Sequence, residues 1–530
     1  MSERQWSGHQ TEIFRQTMDG KRNVVVAGPG CAKTSTALEA SRITGGRRKC
    51  LYLAFNKAVA DEVKAMNIRG LEARTMHSFG FGAIMSEARR RGRDPGSEPM
   101  RKDKVVEKML DLLEVEEDAR DKRSRQKRHM AYGLAKIVSK LKTNGVVGPD
   151  PEAAMARIAE SGDLELAEGF LPEDAAEIVD EVMCYCMETY LTEGFDFDDM
   201  IWIPAVRRLR VRSGWGLVVI DELQDLSRCQ TDLSLSISDG GPLLAIGDPR
   251  QAIYAFRGAH GGSFREFRDF GCGELSLPVT YRCARKITEL AKLMAPELSA
   301  FRDEQGEITH KDGAQDFIDK VGPGDLVVAR TNFSTISACI DLITRGRPAV
   351  VIGRDFEASL AALVDRLSSD DNGASVASLV LAAQEHMDVV KAKAEAQPQM
   401  AQAEVDRTMA VMAIAGMSGG TVAGVLSSIH DMFSPRRGGA DPVRVSTIHR
   451  AKGLEARTVA VLGYEMLEKF AKREMRDRTG DQSDNLWFVA ITRAFDRLVL
   501  CAGDYERAKT KPEDEKEEKE EDGKEPVTPY

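Results

Sequence analysis

Short, almost wholly apolar runs recur along this chain and are separated by long stretches with apolar residues at helical spacing. Residues 24–28 (VVVAG) read as a buried strand entering a glycine turn, and the helix-compatible run TSTALEASRI follows. Residues 217–222 (LVVIDE) read as a second buried strand ending in two adjacent carboxylates. Between the two, KVVEKMLDLLEVEED, AYGLAKIVSKLKTNG and EDAAEIVDEVMCYCMETYL place apolar residues at i, i+3, i+4 and i+7. Strand patterns are absent there, so residues 82–194 are expected to form a small helical domain inserted into an α/β lobe made of 1–81 and 195–278. The alternation then repeats. DLVVAR (325–330), PAVVIG (348–353), VRVSTIH (443–449), TVAVLG (458–463) and RLVLCAG (497–503) predict a second α/β sheet, within 279–355 and 441–506. It is interrupted by a helical block over 356–440, rich in Ala and Met.

Length and composition narrow the class. A chain of 530 residues is long enough for several cores, and 42% hydrophobic with 30% charged residues describes a globular protein. No run of about 18 uncharged apolar residues exists to span a bilayer, and the polar start MSERQWSGHQTEIFRQ lacks the apolar core of a secretory signal. The chain is therefore expected to remain in the compartment where it is made, a bacterial cytosol or an infected host cell, without a membrane partner. Nine cysteines without a C-x-x-C pair fit free thiols in a reducing compartment, and Cys184 and Cys186 in an apolar helical run fit core packing. The formal charge of −10 argues against a nucleic-acid partner, but part of the acid excess lies in the terminal KPEDEKEEKEEDGKEPVTPY, within 507–530, which is expected to be a disordered tail. A local basic groove can be hidden by an acidic total.

The segment AGPGCAKTS (27–35) carries the chemistry of a phosphate loop. Backbone N–H groups from Gly28, Pro29, Gly30, Cys31, Ala32 and Ser35, proline excepted as a donor, would surround phosphate oxygens at a helix N-terminus, Lys33 would reach the β and γ oxygens of ATP, and Thr34 would ligate Mg²⁺. Taken alone, the segment could also be a plain glycine turn. Ala32 stands where such loops usually carry glycine, and its methyl group sits where backbone approaches phosphate. Asp221 and Glu222 at a strand end supply the complementary pair: one carboxylate to hold Mg²⁺ through water, the other to orient or deprotonate the attacking water.

From DELQD (221–225) and IGDPRQAIYAFRGA (246–259) onward, the chain resembles the superfamily 1 helicases of the UvrD/Rep type. The motifs occur in the family's order: SGHQ with Gln10, FNKAVADEV (55–63), ARTMHSF (73–79), FDFDD (195–199), LPVTYR (277–282), VSTIHRAKGLE (445–455) and NLWFVAITRA (485–494). The resemblance implies two RecA-like P-loop NTPase lobes, each with an inserted, mainly helical subdomain, and ATP with Mg²⁺ between them. It further implies that Gln10 reads adenine, Tyr281 stacks on it, Gln251 senses the γ-phosphate and Glu455 lies near the ribose and γ-phosphate. Arg282 and Arg493 would act as arginine fingers on the departing phosphate. Lys452 and Gly453 would form a turn suited to phosphate contact. Phe55, Asn56, His77, Tyr254, Phe256, Arg257 and His449 are the implied contacts to the strand, where aromatic rings stack on unpaired bases irrespective of sequence. The basic run ARDKRSRQKRH (119–129) is either a contact to a duplex backbone or, more simply, a solvated helix face. One departure from the family pattern is DQSD (481–484), where a glutamate usually precedes the N-L pair.

The implied activity is ATP-dependent unwinding by a 3′-to-5′ motor on single-stranded DNA and its junctions with duplex, the IYAFRGA form of the third motif favouring that polarity. A second reading is a DNA-stimulated ATPase that remodels protein–DNA complexes without productive unwinding, motivated by Ala32 and the short second insert. A third reading, a fused helicase–nuclease, is not expected, because only the charged tail follows residue 506 in this sequence. Replication or repair proteins could be recruited through the helical inserts or the tail.

Overall fold

The computed structural model describes residues 5–46, 48–93, 99–116, 121–148, 150–160, 164, 166–209, 214–238, 240–254, 259, 261–368, 375–392, 398–418, 420–434, 441–468, 483–503 and 505. The candidates Phe256 and Arg257, the first two residues of DQSD, Ala119 and Arg120 of the basic run and the 507–530 tail lie outside the described residues. The chain divides into two compact units, residues 1–281 with 297–299 and residues 282–296 with 300–530.

In the first unit the elements run α1 (Gly8–Met18), β1 (Arg22–Ala27), α2 (Lys33–Gly45), β2 (Cys50–Ala54), α3 (Lys57–Ala65), β3 (Leu71–Thr75) and α4 (Met76–Arg90). Then come α5 (Lys104–Leu112), α6 (Lys122–Thr143), α7 (Pro151–Glu160), α8 (Pro172–Thr189) and α9 (Asp199–Val206). The unit continues with β4 (Leu217–Ile220), α10 (Arg228–Ser238), β5 (Leu243–Gly247), α11 (Ser263–Asp269), β6 (Gly273–Leu277) and β7 (Val279–Thr280). Six strands form one parallel sheet in the order β3-β2-β4-β5-β1-β6. Its central strands are buried on both faces, which is why LVVI and LLAIG read as unbroken apolar runs rather than alternating ones. Helical structure already begins at Met76 and ends at Val206, so the helical stretch is wider than the expected 82–194. Close contact between α4 and α9 depends on Gly80, where a Cβ would lie 1.7 Å from the Met200 carbonyl oxygen.

A buried ion cluster fastens α6 to the turn before α9. Lys142 Nζ, with no exposed side-chain surface, lies 2.6 Å from Asp196 and 2.8 Å from Asp199. Burial opposes the ammonium charge, but Asp199 and Asp196 outweigh it and shift Lys142 upward. The two aspartates also cap one another's backbone: Asp196 N–H donates to Asp199 and Asp199 N–H to Asp196.

In the second unit α12 (Arg285–Ala291), β8 (Ser299–Ala300, shared with the first), β9 (Glu307–Lys311), β10 (Leu326–Ala329), α13 (Asn332–Thr344) and β11 (Ala349–Val351) precede four helices. These are α14 (Arg354–Ser368), α15 (Val376–Ala392), α16 (Pro398–Met417) and α17 (Val422–Phe433). β12 (Val443–Thr447), β13 (Ala456–Leu462), a helix at Ser483–Ile491 and β14 (Ala494–Cys501) complete a second parallel sheet, ordered β11-β12-β10-β13-β14-β9. Asp406 on α16 accepts the Asn332 and Phe333 N–H groups at 2.8 and 2.6 Å, joining the helical block to the N-terminus of α13. All nine cysteines are free thiols, eight of them buried. Among the described residues no helix is long and apolar enough to cross a membrane.

Removing one partner of a buried ion cluster leaves uncompensated charge. Lys142→Met is expected to lower the unfolding free energy by about 3–5 kcal/mol in urea titrations followed by tryptophan fluorescence. Adding Asp196→Asn and Asp199→Asn should recover most of the loss; failure to recover would assign the cost to the methionine's packing.

Candidate functional site

In the first unit the motifs collect at the carboxyl ends of the parallel strands, the edge where open α/β sheets hold ligands. The phosphate-loop segment leaves β1, the acidic pair leaves β4, Asp248 and Gln251 leave β5, Phe55 leaves β2, His77 follows β3 and Tyr281 follows β6 and β7.

Between β1 and α2 the chain turns through two left-handed residues, Gly30 at φ 66° and Ala32 at φ 59°, ψ 37°. Ala32 occupies a conformation that normally favours glycine, at a cost of about 1–2 kcal/mol. No side chain caps α2, so its N-terminus is oriented as in sites that receive an anion on backbone N–H groups. The loop is held on the sheet by Gly28 N–H to the Leu277 carbonyl (3.2 Å) and by Tyr281 N–H to the Gly30 carbonyl (2.9 Å). Gly28 packs closely beneath Leu298, whose Cδ1 would have to shift to admit a Cβ at 2.6 Å. Gln10 is buried; its Nε2 donates to Thr36 Oγ1 at 2.9 Å, and its Oε1 accepts the Ser7 N–H at 3.0 Å. It therefore ties α1 to α2, with Gln10, Cys31, Val279 and Tyr281 lining one small cleft.

The strand β4 stops at Ile220, two residues short of the predicted 217–222, so the acidic pair lies just beyond the strand, with Glu222 left-handed at φ 53°. Asp221 Oδ1 accepts the Glu222 N–H at 2.9 Å and Oδ2 accepts the Tyr52 hydroxyl at 2.5 Å. Burial and the neighbouring Glu222 charge raise Asp221 to about 6, against the opposing pull of the Tyr52 hydrogen bond and the Lys33 ammonium. Tyr52 itself is pushed well above its ordinary value by burial and by Asp221. Two carboxylate lone-pair positions remain on Asp221 for a cation or its water, and the exposed Thr34 hydroxyl adds a second hard oxygen. These donors suit Mg²⁺, which favours carboxylate and hydroxyl oxygen and retains water. Magnesium bound with a nucleotide would neutralise phosphate charge there.

A polar chain leads from this pair to the third motif. Gln224 donates through Nε2 to Glu222 and accepts the Asp248 N–H on Oε1 at 2.9 Å. Asp248, fully buried, accepts Gln251 Nε2 at 2.8 Å and Arg250 Nε at 3.2 Å; Arg250 also pairs with Glu297 at 2.5 Å. Gly247 makes room for it, since a Cβ would meet Gln224 Oε1 at 2.4 Å. Sequence reasoning singled out Gln251 but missed Tyr52, Gln224 and Asp248; for the last two, the Q-D pair of DELQD and the G-D pair of IGDPRQ were the available signals.

Two aromatic pairs stand at the same edge. Phe55 and Tyr254 lie parallel, 6.2 Å between centroids and 6° between planes. His77 stacks on Phe197 at 3.9 Å, and Phe197 is 53% exposed although it sits between the buried Asp196 and Asp199. Phe197 was missed as a ring in its own right within FDFDD. Asn56 caps α3, its Oδ1 accepting the Val59 N–H at 2.9 Å.

In the second unit, Arg282, Glu455 and Arg493 come together at the amino ends of β13 and β14. Arg282 Nε lies 2.6 Å from Glu455 and its Nη1 donates to the Thr492 carbonyl at 3.0 Å. Arg493 is buried, donating to the Val489 carbonyl at 2.9 Å and to Thr492 Oγ1 at 3.3 Å. His449 and Lys452 lie on the turn that follows β12, at the opposite edge of that sheet, with Gly453 at φ 91°.

A glycine-containing loop after β1, paired acids after β4 and a polar chain after β5, at one edge of a parallel sheet, are the arrangement of a P-loop NTPase fold. Residues 6–270, half of the chain, match the family model of the UvrD/REP helicase N-terminal domain, and residues 442–501 match that of the UvrD-like helicase C-terminal domain. The chain belongs to the UvrD/REP helicase family. It is 23% identical to F-box DNA helicase protein 1 of Schizosaccharomyces pombe over 51% of this chain and 30% of that protein. It is 28% identical to ATP-dependent DNA helicase UvrD1 of Mycobacterium tuberculosis over 34% of this chain and 24% of that protein. To ATP-dependent DNA helicase SRS2 of Saccharomyces cerevisiae it is 28% identical over 24% of this chain and 12% of that protein. The chain thus spans less than a third of the length of these curated relatives.

Burial holds the His77 imidazole down at about 4, against 6.5 for an ordinary histidine. Between those values only the unfolded chain takes up the proton, so this contribution to stability is complete above the unfolded value and is lost as pH falls. His77→Phe should shrink the fall in unfolding free energy between about pH 7 and about pH 4.5 by about 2 kcal/mol, measured by urea unfolding. An unchanged difference would show that His77 is accessible to protons in the fold.

Proposed function

We propose that this chain is an ATP-dependent DNA helicase that translocates 3′ to 5′ along single-stranded DNA and unwinds duplex at junctions. The observation that carries the reading is the meeting, at one sheet edge, of an uncapped helix N-terminus carrying Lys33 and Thr34 with the Tyr52-bound Asp221 and Glu222. That arrangement gives ATP a phosphate cradle and Mg²⁺ a carboxylate and a hydroxyl, and leaves Glu222 to orient the attacking water. The polar chain through Gln224 and Asp248 supports Gln251 as the residue that reports the γ-phosphate. The reading takes both units as RecA-like lobes bearing helical inserts at 82–194 and 356–440, with 507–530 as a tail. Arg282 and Arg493 serve as the cations for the departing phosphate, Gln10 and Tyr281 as the adenine contacts, and Glu455 as the ribose-side carboxylate.

The strand is assigned to Phe55, Asn56, His77, Tyr254, Phe256, Arg257 and His449, joined by Phe197. Stacked aromatic rings at 3.9 and 6.2 Å support this, because base stacking on such rings is worth about 1–3 kcal/mol per base without sequence preference. Replication or repair proteins are the partners this reading implies, through the helical inserts or the tail. A second reading, a DNA-stimulated ATPase that remodels protein–DNA complexes without unwinding, is favoured by Ala32, whose left-handed backbone carries a methyl group in the phosphate turn.

ATP hydrolysis is expected to rise strongly on adding single-stranded DNA and to fall by at least about 100-fold in Lys33→Ala and in Arg493→Ala. Loss of stimulation in an ATP-binding native chain would sink the motor reading. Strand displacement should require a 3′ tail, whereas use of a 5′ tail alone would reverse the polarity. Stimulated hydrolysis without displacement on either substrate would select the remodelling reading.

A further inference from the structure

The packing of β2 does not explain why residue 52 is a tyrosine. Its neighbours Cys50, Leu51 and Leu53 are all fully buried, and a phenylalanine would fill the same space. Burying a hydroxyl among them costs free energy unless it is hydrogen-bonded. Its partner is the Asp221 carboxylate at 2.5 Å, reached across the β2–β4 pairing that sets Tyr52 beside Val219. Asp221 is thereby gripped at both oxygens, by Tyr52 on Oδ2 and by the Glu222 N–H on Oδ1, while its own N–H donates to the Leu53 carbonyl at 3.3 Å. With both oxygens engaged, rotation about the carboxylate torsion would break a charge-assisted bond. The remaining lone pairs therefore point in fixed directions.

We propose that Tyr52 is a positioning residue of the nucleotide site: through the Asp221 carboxylate, its hydroxyl sets the direction in which a hydrated divalent cation accompanying the nucleotide is received. This rests on the nucleotide-binding reading above. Outer-shell donors that orient a ligating group change metal affinity by about 10–100-fold when removed, and the lower end applies where water stands between cation and carboxylate.

The test compares Tyr52→Phe with the native chain in binding a fluorescent ATP analogue, first in chelator and then with increasing Mg²⁺, alongside thermal unfolding. Tyr52→Phe is expected to keep the metal-free affinity and raise half-saturating Mg²⁺ about 10-fold. In the Asp221→Asn background the same substitution should change nothing further. An unchanged Mg²⁺ requirement overturns the proposal. So does a parallel fall of metal-free affinity and unfolding midpoint, which would make the hydroxyl a packing device. Should Tyr52→Phe fail to fold, the Tyr52→Phe/Asp221→Asn double variant, which leaves no charged carboxylate short of a donor, must fold again, and its failure to do so overturns the proposal. A native chain that binds no analogue with or without Mg²⁺ would instead refute the nucleotide reading itself, and binding that ignores Mg²⁺ overturns the proposal alone.

Discussion

The site depends on keeping carboxylates buried at the ends of parallel strands. Asp221 and Asp248 stand at the carboxyl ends of neighbouring strands β4 and β5, almost without solvent. In such a place an ionised group persists only when donors surround it. The fold provides them locally: Tyr52 from β2, the Glu222 and Arg250 backbones, and the side chains of Gln251 and Arg250. Gln224 links the Glu222 carboxylate to the Asp248 backbone N–H because a carboxamide donates at one end and accepts at the other. A glutamate at that position would place a third negative charge between Glu222 and Asp248. The same requirement explains Gly247, since a methyl group there would collide with the Gln224 oxygen.

Within the helical stretch, α6 is fastened to the turn before α9 by the same logic with opposite signs. Lys142 brings one ammonium into the apolar interior, and Asp196 and Asp199 meet it. Between those two anchored residues the chain has no freedom to bury Phe197, which projects beside His77. A buried ion cluster thus fixes an exposed ring, and the rigidity of one follows from the cost of disturbing the other. In the second unit Asp406 plays a comparable part, receiving two N–H groups at the start of α13 and so holding the helical block to the strand–helix turn after β10.

Much of this was legible in the sequence, for physical reasons. Central strands of a parallel sheet are apolar on both faces, so β1, β4, β10 and β13 stood out as continuous runs. The edge strands β3 (LEART), β6 (GELSL) and β9 (EITHK) carry charges and polar residues on an open side and left no such run. The loop after β1 and the acidic pair after β4 stood out as candidates because each is confined to a short contiguous segment. Tyr52 was not, because its meaning lies in a partner 169 residues away, and within CLYLA it reads as one more apolar strand position. Lys142 was hidden likewise: in KIVSKLKT it resembles its exposed neighbours, and only the fold turns it towards Asp196 and Asp199.

The acidic total of the chain bears on the proposed strand contact in a way that composition alone obscured. Phosphate-directed binding draws its strength from cations and weakens steeply with salt. The described candidates at the carboxyl edge of the first sheet are instead mostly rings, Phe55, Tyr254, His77 and Phe197, and burial keeps His77 uncharged at neutral pH. Stacking on unpaired bases requires no net positive charge and no particular base. A motor must release each base in order to take the next, and grip through rings suits that better than grip through many ion pairs, because each stacked contact is modest and independent of the others. A net charge of −10 is therefore compatible with a strand partner, provided that bases rather than phosphates meet this edge of the sheet.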